Sequence, residues 1–400
     1  MTKKLRLAAL VSHPIQYLVP LLRRLAAHPE IDLTVYFMSD TGLRERTIAH
    51  YGDAIKWDTP LLGGYRHEML TNVSPWPDSA RPYAKLHPGV VAVLARGRFD
   101  AVFLHGYMAA TEWLAYAAAK ALSLPILFWS DVLLDSPYIL TRSARARELF
   151  RTNFCRGLDA ALAISSQARR FYEHYGVPRD RIFWSPLCVD SAWWMAQTDA
   201  LRVDPQGRAA LRRARGVDAD LPVIAFVAHM RENKRPRDVV DALARMKVPA
   251  SLIMVGGGPL HDDLVRHCAA RGGPRVHLLG VQNQGDLPAI YAMSDVFVLP
   301  SGPGEVTPLV VEEAMCASLP VVISSAVPSV IDFVREGENG YTYPVGDVSA
   351  LADRLDRVLG SPAETARLGA RSREMMEPWS YDVTVAGILD ALHAVTRRAR

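Results

Sequence analysis

The chain has 400 residues, 50% of them hydrophobic and 22% charged, with a net charge of +4. That content supports two full-sized cores and excludes a disordered or low-complexity chain. No run of 18 or more apolar residues occurs, so no transmembrane helix is expected.

The four cysteines, Cys155, Cys188, Cys268 and Cys316, lie far apart and form no C-x-x-C pair. A reduced, cytoplasmic compartment and no zinc site are the expectation. The charge is uneven, +5 over residues 1–200 and −1 over residues 201–400. Its densest basic stretch is "RSARARELFRTNFCR", residues 142–156. Such a stretch suits an acidic lipid surface or a phosphorylated partner, or else forms a solvated helix face. Peripheral contact with an anionic membrane is therefore expected, and a nucleic-acid partner is not.

In chain order, the opening imitates a secretory leader. Arg6 interrupts its apolar run, and Ser12, His13, Pro14 and Gln16 break it again, so a buried strand over residues 5–11 is predicted instead. Further apolar, β-rich runs follow at 32–38, 100–105, 125–130, 160–165 and 181–186. Residues 191–220 lack strand character and are rich in Arg, Asp and Gly. A second series of runs covers 222–229, 251–256, 275–280, 295–301 and 320–324. Continuous apolar runs spaced by helical segments indicate parallel strands covered on both faces. The predicted fold is α/β, with two doubly wound, Rossmann-like parallel-sheet domains facing a cleft. The expected boundaries are 1–192, a linker at 193–220, 221–379, and a C-terminal helix at 380–400 that crosses back to the first domain.

The second half carries the most chemistry. "DVFVLPS" runs into "GPGEVT", and a helix is predicted from Pro308 with Thr307 as its N-cap. A helix start beyond a strand end is a ready anion site, with the Leu309 and Val310 amides and the Thr307 hydroxyl as donors. Glu305 precedes it, and Glu312 and Glu313 lie inside it, the latter roughly 9 Å along the axis from Thr307 at 1.5 Å per residue. Helical angles alone leave Glu312 and Glu313 tied. After the run ending near His229, Arg231, Lys234, Arg235 and Arg237 crowd the next loop and suit a polyphosphate. "MVGGGPL" ends a strand in a glycine turn at Gly256, which serves either close ligand approach or a tight turn. Asp218–Asp220 imitates a metal-binding D-x-D, but its place before a strand reads as a turn, and no metal is expected.

Together these pieces resemble the retaining GT-B glycosyltransferases, family 4 in particular. "PSGPGEVTPLVVEEAMCASLPVVIS" is similar to the family's E-x7-E signature, "FVAHMRENKRP" to its phosphate-binding loop, and "LLGVQNQGDLPAIYAMSDVFVLPS" to its nucleotide-binding strand and helix. "GENGYTYPVGD" resembles its closing turn, and "FWSPLCVDSAWW" the end of its N-terminal domain. The resemblance implies transfer of a sugar from a nucleotide-diphosphate sugar to an acceptor hydroxyl, with retention and without a metal or other cofactor. By that likeness Lys234 would bind the diphosphate, Glu313 the ribose hydroxyls, and Glu305 would sit by the donor sugar. His229, Arg231, Gly256, Val306, Thr307 and Leu309 would complete the donor site, with Gln282 and Asn283 against the base. Glu312 would be a solvated bystander.

The sequence departs from the pattern at His229, where the family has Arg, and at Pro328-Ser329, where it has two glycines. The same architecture also serves sugar-nucleotide epimerases and non-catalytic sugar-nucleotide-binding partners. On the acceptor side, "HPIQY" with His13 and Gln16, and "IKWDTPLLGGY" with Trp57 and Asp58, are similar to bacterial members. His105 and Asp131 end predicted strands and complete the expected acceptor site, with Asp131 counted beside Lys234 and Glu305 as catalytic. The acceptor would be a glycan, a lipid-linked sugar or a small molecule.

Overall fold

The computed structural model describes residues 4–43, 46–47, 54–55, 59–77, 81–134, 143–202, 205–271 and 273–398. Trp57, Asp58 and Arg142 fall outside the described residues. Two compact units divide the chain. Residues 59–187 and the C-terminal helix join the N-terminal residues in one, and residues 188–380 form most of the other.

The first unit is built on a seven-stranded sheet. Its strands are β1 (Leu5–Val11), β2 (Ile31–Phe37), β3 (Arg66–Met69), β4 (Ala101–His105), β5 (Ile126–Trp129), β6 (Ala160–Ala163) and β7 (Ile182–Trp184). Their order is β3-β2-β1-β4-β5-β6-β7, and every neighbouring pair is parallel. The runs that form β4, β5 and β6 bury nearly every residue, as a strand covered on both faces must. β3 was not predicted. It sits at the sheet edge with mostly exposed residues, so it carries no apolar run.

The helix Tyr381–Arg398 lies on this same sheet. Thr384 Oγ1 donates to the Pro186 carbonyl at 2.7 Å, and the Tyr381 hydroxyl to the Tyr17 carbonyl at 2.7 Å. Gly387 allows the close approach, because a Cβ there would overlap the Trp184 carbonyl oxygen.

The second unit repeats the plan with six strands. They are β8 (Val223–Val227), β9 (Ser251–Val255), β10 (Val276–Leu278), β11 (Val296–Leu299), β12 (Val321–Ser324) and β13 (Gly340–Tyr343), in the parallel order β10-β9-β8-β11-β12-β13. Period-two alternation splits β8, β9, β11 and β12 between two cores. Val223, Ala225 and Val227 enter one, and Ile224 and Phe226 the other.

The stretch expected as a linker is folded structure. Ser191–Leu201 and Pro205–Ala214 are helices within the second unit. Arg202 donates to the carbonyls of Tyr291, Ala292, Ser294 and Ala317, and Arg212 to that of Met293 and to Asp295 Oδ2 at 2.6 Å. These cations meet the carbonyl ends of two helices, where positive charge is favoured.

Candidate functional site

In each sheet the strand order reverses beside the first strand of the series, and ligands of such sheets bind beyond the carboxyl ends there. In the second unit that point lies between β8 and β11, which are adjacent and parallel. The loop after β8 carries His229, Arg231 and Lys234, and the loop after β11 carries Glu305, Val306 and Thr307. The Gly302 amide donates to the Asn233 carbonyl at 2.7 Å and ties the two loops together. Lys234 Nζ and Glu305 Oε2 form an ion pair whose side chains are each 11% exposed. The structure thus joins two residues 71 positions apart in one constellation.

Four cations crowd this loop in sequence, and three of them are paired in the structure. Arg235 pairs with Asp238 at 2.6 Å, and Arg237 pairs with Asp263. Lys234 is the third, paired with Glu305, and Arg231 is exposed.

Gly256 and Gly258 have a backbone reason of their own. Both have positive φ, +133° and +142°. A Cβ at Gly256 would overlap the Ala228 carbonyl oxygen, and one at Gly258 would lie 2.7 Å from the Met230 carbonyl oxygen. The glycine turn therefore lets the loops after β8 and β9 pack together. Gln282 and Asn283 follow β10, and Gln282 Nε2 donates to the Leu279 carbonyl at 2.8 Å. At the other departure, Ser329 has φ −77°, a conformation that requires no glycine.

The helix after β11 spans Leu309–Cys316, one residue later than predicted. Pro308, with φ −80° and ψ 91°, takes the N-cap position, so Thr307 stands one place outside it. The first-turn amides of Leu309 and Val310 have no preceding turn to bond.

The structure separates the two helical glutamates and corrects one expectation. Glu312 is not solvated: it is 0% exposed, and its Oε2 accepts from the Val189 amide at 3.0 Å. Its Oε1 has no partner among the described residues. Burial pushes its carboxyl well above the usual range, which favours the protonated form. Glu313 is half-buried and accepts from the Tyr291 hydroxyl at 2.7 Å. Burial pushes its pKa up to about 8, against the lowering effect of the Tyr291 hydrogen bond.

Asp218 Oδ1 accepts from the Asp220 amide at 2.9 Å, which makes the D-x-D a turn.

In the first unit the order reverses between β1 and β4. His13 and Gln16 follow β1, and His105 ends β4. Asp131 stands two residues beyond β5 and is exposed. His105 packs on Trp129 at 5.3 Å between centroids, and its Nδ1, like Gln16 Oε1, is buried without a partner among the described residues. Burial and then Lys85 lower the His13 pKa to about 4; burial, His13 and Lys85 do the same to His105. Both rings are neutral at pH 7, able to donate and accept, which suits sugar hydroxyls.

Two residues here were not foreseen. Lys85 is pushed down by burial, and Glu112 is pushed up to about 7, also by burial. Glu112 Oε2 accepts from the Ala109 amide at 2.8 Å. The one sequence signal for Glu112 is its place at N3 of a helix, and Lys85 has none.

Comparison with known proteins follows the same division. Residues 207–375 match the model of glycosyl transferases group 1, and residues 16–193 that of glycosyltransferase family 4. HepE of Anabaena, solved with UDP, superposes with TM-score 0.74 at 18% identity over 98% of this chain and 99% of its own. A glycosyltransferase from Rickettsia africae does so with TM-score 0.74 at 15% identity, over 98% of both chains. The architecture is the GT-B fold. The chain belongs to glycosyltransferase family 4.

D-inositol 3-phosphate glycosyltransferase of Xylanimonas cellulosilytica is 29% identical over 60% of this chain and 58% of its own length. The GDP-mannose-dependent alpha-(1-6)-phosphatidylinositol monomannoside mannosyltransferase of Mycobacterium tuberculosis is 30% identical over 59% of this chain and 62% of its own. The chain spans 43–58% of the length of three such curated relatives.

Proposed function

We propose that this protein transfers a sugar from a nucleotide-diphosphate sugar to an acceptor hydroxyl, with retention at the anomeric carbon. The observation that carries the reading is the Lys234–Glu305 pair beyond β8 and β11, with Glu313 further along the following helix. Bond cleavage builds negative charge on the departing diphosphate. Lys234, Arg231 and the Leu309 and Val310 amides would meet that charge, an effect worth several kcal/mol when the donors are preorganised. As the diphosphate takes Lys234, Glu305 is released to face the positive charge growing on the sugar.

On this reading Glu313 receives the ribose hydroxyls, and His229, Gly256, Val306, Thr307, Leu309, Gln282 and Asn283 line the rest of the donor site. His13, Gln16, His105 and Asp131 form the acceptor pole on the first unit. The relatives named for inositol phosphate and phosphatidylinositol mannoside support a hydroxylated acceptor.

The test is proton NMR of the reaction with a matched donor and acceptor. The expected product keeps the donor's anomeric configuration. Its yield is unchanged by EDTA, because protein cations take the metal's place. Formation of an epimer without any acceptor would favour the epimerase reading instead.

We also propose peripheral contact with anionic membrane through the helix Ala144–Arg156. Among its described residues no helix is long and apolar enough to cross a membrane. Arg145 and Arg156 are exposed on that helix, as is Leu149 at 64%. Arg151 is not part of this face: it is 3% exposed and donates to the Leu134 carbonyl at 2.9 Å. Sedimentation with phosphatidylserine vesicles should exceed that with neutral vesicles. It should fall toward the neutral level in Arg145→Glu/Arg156→Glu, and equal sedimentation on both vesicles contradicts the proposal.

A further inference from the structure

Tyr291 is not among the residues that the sequence singles out, because it sits in the apolar run of helix Leu287–Met293 and reads as core. It is 0% exposed, as a core residue should be. Its ring is held edge-on by Trp194 at 5.8 Å and Phe297 at 6.2 Å between centroids. Its hydroxyl, however, leaves the core and donates to Glu313 Oε2 at 2.7 Å.

The helix that carries Tyr291 is itself clamped. Arg202 donates to the carbonyls of Tyr291, Ala292 and Ser294 and, across to the Glu313 helix, to that of Ala317 at 2.5 Å. Arg208 adds a bond to the Ala292 carbonyl at 3.2 Å and a salt bridge to Asp295 at 2.7 Å. One arginine therefore spans the ends of both helices and fixes the spacing between phenol and carboxylate.

We infer that Tyr291 is a positioning residue that holds Glu313 in the orientation needed to accept the ribose hydroxyls of a nucleoside diphosphate. The inference rests on the donor-site reading given above. One carboxylate oxygen is pinned by the phenol, and Glu313, half-buried, keeps the other for a vicinal diol. A phenol donates only to an acceptor, so its hydrogen bond favours the carboxylate over the carboxylic acid. It works against burial, which raises the Glu313 pKa to about 8. The other titratable groups coupled to Glu313 are Glu312 and Cys316, both pushed well up by burial. Removing the phenol oxygen leaves burial unopposed and moves the titration of Glu313 upward.

The experiment is calorimetry with whichever of UDP, GDP or ADP stabilises the wild type, and with its 2′,3′-dideoxy form. In wild type the diol form should bind more tightly, with affinity rising as pH passes about 8. Tyr291→Phe should weaken the diol form about tenfold, the scale of one hydrogen bond to a charged group. It should move the pH midpoint upward and leave the dideoxy form unchanged, which also shows that the variant is folded. Equal loss for both forms, or an unmoved midpoint, overturns the positioning role. Equal affinity of wild type for both forms removes the ribose reading, and this inference with it. If Tyr291→Phe does not fold, Tyr291→Phe/Glu313→Gln is compared with Glu313→Gln, since that pair leaves no buried charge. Equal affinities support the inference, and a further loss overturns it.

Discussion

Lys234→Ala should lower turnover about 100-fold on an unchanged fold, the scale of losing one preorganised donor to transition-state charge. Glu305→Ala should lower it at least about tenfold, or about 1.4 kcal/mol. The loss is expected in kcat as well as in kcat/KM, because the charge on the diphosphate and on the sugar grows only during transfer. The two residues share one ion pair and are each nearly buried, so their effects should not add. Lys234→Ala also leaves Glu305 without its cation. A melting curve and far-UV circular dichroism must accompany the rates, since breaking a buried pair costs about 3–5 kcal/mol. Rates near wild type for both folded variants would contradict the assigned roles.

Glu313→Gln should have two effects of opposite sign. Above about pH 8, nucleotide affinity should fall about 10- to 100-fold, as a charged acceptor of ribose hydroxyls becomes neutral. Stability should rise at alkaline pH. The folded pKa of about 8 lies above the ordinary glutamate value of 4.5. A group raised in this way favours the folded state at low pH, and the contribution is lost as pH climbs from about 4.5 through about 8. At about 1.4 kcal/mol per pH unit, the whole window spans at most about 5 kcal/mol. Glutamine has no such titration, so the difference in melting temperature between variant and wild type should widen from pH 5 to pH 9. A constant difference would show that Glu313 is not held protonated in the ligand-free protein.

The strands were legible because most are continuous apolar runs buried on both faces, which chemistry alone makes distinctive. β3 and β13 were not, since one is an exposed edge and the other begins in a glycine turn. The donor loops were legible as residue types beyond strand ends, while their partnerships were not. Arg235 and Arg237 read as phosphate ligands until Asp238 and Asp263 are seen beside them. Glu312 read as solvated because its partner, the Val189 amide, lies 123 residues earlier in the chain. The segment 193–220 read as a linker because its arginines bond backbone carbonyls, which leave no mark in a sequence. Lys85 and Glu112 beside His13 and His105 were missed for a related reason: only burial and long-range proximity give them their shifted titrations.

The central claim is that Lys234, Glu305 and Glu313 form a nucleoside-diphosphate site on the second unit. A thermal-shift panel of nucleoside diphosphates on wild type and Lys234→Ala tests it most directly. Binding at 100 times Kd stabilises by about 2.7 kcal/mol, which such a panel resolves. The expected result is that one diphosphate raises the wild-type melting temperature, its monophosphate does so less, and Lys234→Ala loses the shift. A panel in which no nucleotide stabilises the wild type, or in which the same one stabilises both proteins equally, contradicts it.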